Sequence, residues 1–301
     1  MAQTIYVVGE DRSGSTLLGR VLGAHSAVCD VGELYRLNTL SSGPLGCACG
    51  RTPDDCPFWG EVINALESEG VPVATLDLSG DEELYFRPRS LAPSPIVQLL
   101  GISLTGTRLA PALPRAHKML DAAAHCSRVT DVAARVSGAG VIFDSSKVPA
   151  YGLARYMVRP ESTTIVHLVR DGRATCASLM RHLQLPMTDV ARRFRRRSLA
   201  ALSVYWRVPR AHRMRVRYES LCASPEAEVE RVLVSAGLRF EAGMLDQLTA
   251  GHALGGSRSA MLGKSKIRLD ERWRTELEPN DLKTFEREAG WINRLLGYRD
   301  R

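Results

Sequence analysis

An apolar strand that runs straight into a glycine-rich turn and then a helix constrains this chain more than any other feature. The segment is IYVVGEDRSGSTLLGRVLGAH, residues 5–25. Gly9 through Thr16 fit the phosphate-loop pattern G-x-x-x-x-G-K-[ST] at every fixed position but one, because Ser15 stands where the Lys belongs. That Lys grips the terminal phosphates in a nucleotide triphosphatase, so its replacement argues against ordinary kinase or ATPase chemistry. What remains is a nest of backbone N–H groups at a helix N-terminus, which suits an anion. Arg12 adds a planar cationic fork beside it. The loop is built for a phosphate-like group other than a triphosphate.

Further strands are expected at 141–144, 163–169 and 214–218, each followed by a helix or loop. Alternation of this kind points to an α/β fold: a central parallel sheet of phosphate-loop-like topology, flanked by helices. Ligands of such sheets bind at the carboxyl ends of the strands. Residues 71–115 hold six Pro, so regular structure should be sparse there. A helix is expected over about 115–136, with Leu120, Ala124 and Val132 on one face and Gly138 and Gly140 closing it. Residues 1–301 read as one domain, with 41–140 as a largely helical insertion over the ligand site that shapes a second substrate's pocket. A second helix, about 189–212, carries Val190, Phe194, Ala201 and Tyr205 on an apolar stripe, with Arg192, Arg193, Arg196 and Arg197 mostly off it.

Three blocks, in order, resemble sulfotransferases that use 3′-phosphoadenosine-5′-phosphosulfate (PAPS) as donor. The loop at 9–16 is similar to the family's phosphosulfate-binding loop. In TTIVHLVRDGRATCASLMR, a β-branched run ends at Arg170, and Ser178 follows eight residues later on a helix. The family holds the donor's 3′-phosphate with an Arg and a Ser of this spacing. The segment MRVRYESL, expected to end a strand at Tyr218 and Glu219, resembles the Tyr-Glu segment near the same phosphate. The resemblance implies a bacterial enzyme of the type that uses a glutamate base.

Sulfuryl transfer needs a base for the acceptor proton, a cation at the departing bridging oxygen and donors for the equatorial oxygens. Glu33, in VCDVGELYRL, looks like the base of the glutamate-using branch, with Asp30 as its nearer rival. Lys147, at the end of VIFDSSK, resembles the cation near the bridging oxygen, with Ser145 and Ser146 as hydrogen-bond donors and Asp144 orienting it. Arg12 counts with both the catalytic and the donor-binding residues. Ser15 and Thr16 should donate to the 5′-phosphate together with the N–H groups of Ser13 and Gly14. No metal is required. His167 falls mid-strand and reads as a core residue. In the tail, Arg258, Lys264, Lys266 and Trp273 stand in an order comparable to the segment that closes over the 3′-phosphate, without the Arg-Lys-Gly triplet of the cytosolic branch. Arg258 is the residue taken forward.

Composition bounds the remaining readings. The formal net charge is +7, and residues 181–220 alone hold eleven Arg against Asp189 and Glu219. The rest of the chain is close to neutral, so a local basic surface would attract a polyanionic ligand. No run approaches a membrane span, and the start shows no leader pattern, so a soluble, cytoplasmic protein without a membrane partner is expected. Seven Cys is an odd number suited to reduced thiols. Cys47, Cys49 and Cys56 form C-x-C plus one distant Cys, short of the four ligands of zinc; Cys29 could supply a fourth thiol, but a turn of ordinary thiols is the plainer expectation. The alternatives are a phosphate-loop kinase or nucleotide hydrolase, with VIFDSS as its nearest Mg2+ site, and a nucleic-acid binder built on the Arg-rich helix. Aromatic content of 6% and no recognised binding motif weigh against the second. The acceptor reads as a small-molecule hydroxyl.

Overall fold

A computed structural model describes residues 1–40, 46–78, 95–105, 114–246, 248, 251–256 and 267–299. Five strands form one parallel sheet in the order β2-β3-β1-β4-β5. They are β1 Gln3–Gly9, β2 Val28–Gly32, β3 Val141–Lys147, β4 Thr163–Val169 and β5 Arg213–Arg217. β1 lies centrally, pairing in parallel with β3 and β4. It is buried on both faces from Thr4 to Gly9, and its side chains alternate between them. Tyr6 and Val8 face a layer built from helices Pro57–Ser68, Pro114–Ser137 and Pro149–Val158, whereas Ile5 and Val7 face helices Ser15–Leu22 and Pro225–Val234.

β2 is the strand that the apolar pattern does not announce, because VCDVG carries an Asp at its middle. The Asp is accommodated because the Asp30 carboxylate accepts from the Gly32 N–H at 2.9 Å. The expected helix over 115–136 spans Pro114–Ser137, but its buried face runs through Ala116, Met119, Cys126, Val129 and Val132, and Ala124 is exposed. The helix expected at 189–212 is Met187–Arg207, ended before Pro209. Tyr218 and Glu219 do not end the last strand. They open a short helix, Tyr218–Ala223.

The described parts of 41–140 pack against the sheet as a helical layer, with helices Pro57–Ser68 and Pro95–Thr105 both against Pro114–Ser137. The remainder of that insertion, at 41–45, 79–94 and 106–113, lies outside the described residues. No helix among the described residues is long and apolar enough to cross a membrane.

Candidate active site

The carboxyl ends of β1, β2, β3 and β4 open on a cavity of about 870 Å3. At the end of β1 the chain turns through Arg12 at φ 66° and Gly14 at φ 101° before the helix Ser15–Leu22. A Cβ on Gly14 would stand 2.5 Å from Cδ2 of Tyr218, so glycine serves both the left-handed backbone and the close approach of that ring. Gly14, Ser15 and Thr16 line the cavity with Arg12. The Ser13 side chain does not: its buried hydroxyl faces a small void beside Glu10 and His167 instead.

Arg170 leaves the end of β4 and is buried. Its guanidinium donates to the Arg12 carbonyl at 3.0 Å and to the Asp270 carbonyl at 2.9 Å, and stands 3.3 Å from the Asp270 carboxylate. It also lies 4.4 Å over the Tyr218 ring. Its Nε is buried with no hydrogen-bond partner among the described residues, a costly arrangement that an anionic oxygen would relieve. Arg12 donates through Nε to the Ser178 hydroxyl at 3.0 Å. The loop, the end of β4 and the helix Gly172–Leu183 therefore converge on one spot. Burial, then the like charges of Arg170, Arg181 and Arg272, pushes the Arg12 guanidinium pKa down, against a smaller opposite pull from Asp11. A site that strains its own cation in this way favours a negative ligand.

Glu33 sits one residue beyond β2, where Gly32 turns at φ 68° against Leu254. The backbone is pinned there by the Glu33 N–H donating to the Leu254 carbonyl at 2.7 Å. Lys147 Nζ donates to one Glu33 oxygen at 2.6 Å, and Arg36 Nε stands 2.9 Å from the other. Lys147 reaches it from the end of β3, held in the left-handed region at φ 64° and donating also to the Ser145 carbonyl at 2.8 Å. Asp144 does not hydrogen-bond to Lys147. It is fully buried and accepts from the Ser146 N–H at 2.9 Å, and it does not line the cavity. Asp30, the rival base, lies beneath the helix Ser15–Leu22 against Gly19, where burial raises its pKa to about 7, and it too stays outside the cavity lining.

The Arg-rich helix is only in part a solvated face. Arg192 and Arg196 are exposed, whereas Arg197 is buried 3.1 Å from Glu10 and Arg193 reaches Glu10 and Asp11. These pairs brace the loop from behind. Arg36, Arg268, Asp270 and Arg272 are lining residues that no spacing in the sequence singled out. Eight cationic side chains line the cavity against four acidic ones, so its field favours anions. His167 is a core residue as expected, packed 5.6 Å from the Tyr205 ring, and burial drives its pKa down to about 3. Glu219 accepts from the Asp171 N–H and from the Tyr298 hydroxyl and does not line the cavity. None of the described residues of 46–140 lines it either. Arg258, Lys264 and Lys266 lie outside the described residues, while Trp273 is buried beneath Arg173 at 4.7 Å.

Comparison with known proteins converges on one class. Residues 108–242 match the model of the sulfotransferase family. The fold is similar to the sulfotransferase domain of the Synechococcus PCC 7002 olefin synthase, with TM-score 0.56 and 17% identity over 100% of this chain and 96% of that one. The sulfotransferase domain of the curacin biosynthetic pathway matches at TM-score 0.54 and 15% identity over 100% and 99% of the two chains. A sulfotransferase from Mycobacterium avium matches at 0.52 and 14% identity over 100% and 78%. At these identities the likeness is one of fold. No curated protein matches the chain.

Proposed function

We propose that this chain, whose residues 108–242 match the sulfotransferase family model, is a sulfotransferase that takes its sulfuryl group from PAPS and passes it to the hydroxyl of a small molecule. The observation that carries the donor assignment is the convergence of Arg12, Arg170 and Ser178 in a cationic cavity, with a buried Arg170 Nε lacking any described partner. A 3′-phosphate would answer that orphaned donor. The glycine-lined turn at Gly14 and the hydroxyls of Ser15 and Thr16 suit the 5′-phosphate, and the Tyr218 ring that supports Arg170 closes the same wall. The Ser13 hydroxyl faces away, so only its backbone N–H stays in this assignment. Arg258 remains the proposed closing residue over the 3′-phosphate.

PAPS supplies a sulfuryl group on a phosphate leaving group. Glu33, buried and paired with Lys147, is the base that accepts the acceptor's hydroxyl proton as the new S–O bond forms and the S–O bond to phosphate breaks. Lys147 lies within reach of both the base and the cavity, so its ammonium can follow the charge onto the bridging oxygen. Arg12 meets charge on the transferring oxygens. The kinase alternative draws less support: Asp144, the carboxylate offered for Mg2+, is buried under Ser146 and away from the cavity lining. The reading carries forward the expectation of a soluble, cytoplasmic enzyme.

Calorimetric titration with 3′-phosphoadenosine-5′-phosphate, ADP and ATP, first without metal, tests the donor. Binding of the first at least tenfold tighter than ADP is expected. Equal affinity for all three, or ATP binding that requires Mg2+, overturns the assignment.

A further inference from the structure

Cys47, Cys49 and Cys56 gather at one point of the fold. The fold delivers His252, nearly two hundred residues later, to the same point, and one ligand atom from each of the four lies within 4.8 Å of the others. Cys56 Sγ is 3.5 Å from Cys47 Sγ and 3.2 Å from His252 Nδ1, and Cys47 Sγ is 3.9 Å from that nitrogen. A tetrahedron with zinc–sulfur bonds of about 2.3 Å and a zinc–nitrogen bond of about 2.0 Å has edges of roughly 3.5–3.8 Å. The separations among Cys47, Cys56 and His252 bracket those edges, Cys49 lies within 4.8 Å of all three, and the Cys47–Cys56 separation is too long for a disulfide. Cys29, the thiol that the sequence offered as fourth ligand, sits on β2 beside Ser137 and is not among the four.

We propose that these four residues form a structural zinc site of the Cys3His type, a reading independent of the reaction assigned above. Local structure is arranged for it. The Gly50 N–H donates to the Cys47 carbonyl at 2.9 Å with Gly50 at φ 86°, a tight turn that brings Cys47 and Cys49 to one side. Cys56 immediately precedes the helix Pro57–Ser68, which fixes its backbone. The His252 ring is stacked against Phe58 at 5.5 Å, and its carbonyl accepts from the Trp59 indole at 2.6 Å. Four protein ligands close the coordination sphere, which marks a structural rather than a catalytic zinc, and three thiolates with one imidazole select zinc over harder cations. Metal binding displaces the three thiol protons to solvent.

The site has a mechanical consequence. It would clip residues 252–254 to the loop at 47–56, where the Ala48 N–H also donates to the Ala253 carbonyl at 2.9 Å. Leu254 in turn donates to the Val31 carbonyl and accepts from the Glu33 N–H. Zinc would therefore steady the backbone that carries Glu33.

Elemental analysis of the full chain, purified untagged and without chelator from zinc-supplemented cells, reads the proposal directly. About one zinc per chain is expected, falling to near zero in His252→Ala and strongly reduced in Cys49→Ser, whose side chain is exposed. Replacing zinc with cobalt should give the intense visible bands of tetrahedral thiolate coordination. Less than a tenth of a zinc per chain in the wild-type protein, with all three thiols reacting freely with a thiol reagent, overturns the site. A Cys47–Cys56 disulfide found by mass spectrometry in protein isolated under reducing-compartment conditions does so equally.

Discussion

Glu33 holds Lys147 and Arg36 on its two oxygens at 2.6 and 2.9 Å, and an amide at this position keeps the shape while losing the proton acceptor. Glu33→Gln should therefore lower turnover by about 10²–10⁴-fold, with the dissociation constant of 3′-phosphoadenosine-5′-phosphate changed only a few-fold. Steady-state kinetics beside calorimetry separate the two, and full activity in the variant would remove Glu33 from the base role. Arg170 should behave the other way round. On the proposed assignment of Arg170 to the 3′-phosphate, Arg170→Ala would remove a charge-assisted contact, so affinity for the 3′-phosphorylated nucleotide should fall by roughly 10–100-fold, about 1.5–3 kcal/mol. ADP, lacking that phosphate, should bind the variant much as it binds the wild type. An equal loss for both ligands would mean that Arg170 serves the loop, through the Arg12 carbonyl, rather than the ligand.

At the scale of elements, the loop between β1 and the first helix works only because a ring packs where a side chain would otherwise be. Gly14→Ala puts a Cβ against Tyr218 at a left-handed backbone position. A stability loss on the order of 1–3 kcal/mol in chemical denaturation is expected, together with weaker nucleotide binding, since Tyr218 supports Arg170. A variant of unchanged stability and affinity would mean that the turn relaxes without cost. The loop itself was legible in the sequence, as were β1 and β4 as largely apolar or β-branched runs, β3 through its apolar opening VIF, and β5 through the alternation of RMRVR. β2 was not, since Asp30 breaks its run and is tolerated only through the Gly32 N–H. The Tyr218–Glu219 boundary was misread because a strand end and a helix start look alike when an aromatic residue is needed in the core on either account. The Arg-rich helix was half legible: its apolar stripe is a periodicity, but Arg193 and Arg197 turn inward to Glu10 and Asp11, which are near in space and not in sequence.

For the whole molecule, buried ionisable groups set opposing dependences on pH. His167 is driven down to about 3 by burial, so the unfolded chain binds its proton first as the solution acidifies. Its contribution is present above about 6.5 and is lost as pH falls towards 3, at on the order of 1 kcal/mol per unit. Asp30, raised to about 7 by burial, has the reverse sign: the folded state holds its proton more tightly, and stability is lost as pH rises from about 4 through 7. His167→Gln should flatten the acid limb of a stability profile measured by denaturation between pH 6.5 and 4, while leaving the limb towards neutrality in place. An unchanged acid limb would assign that loss to other groups.

The chain by itself determined the sheet class and the anion-binding turn with Arg12, because strand periodicity and loop chemistry are local properties, while resemblance to a known family named Glu33, Lys147, Arg170 and Ser178 as candidates for one site. Only the tertiary structure decided what those residues do to one another. Lys147 meets Glu33 rather than Asp144, Asp270 folds onto Arg170, and His252 comes back across about two hundred residues to reach three cysteines. The physical reason is the same in each case. Hydrogen bonds, ion pairs and ligand sets are fixed by distances of a few ångströms, and in a parallel sheet joined by crossovers those distances are set by which strand ends come to lie side by side.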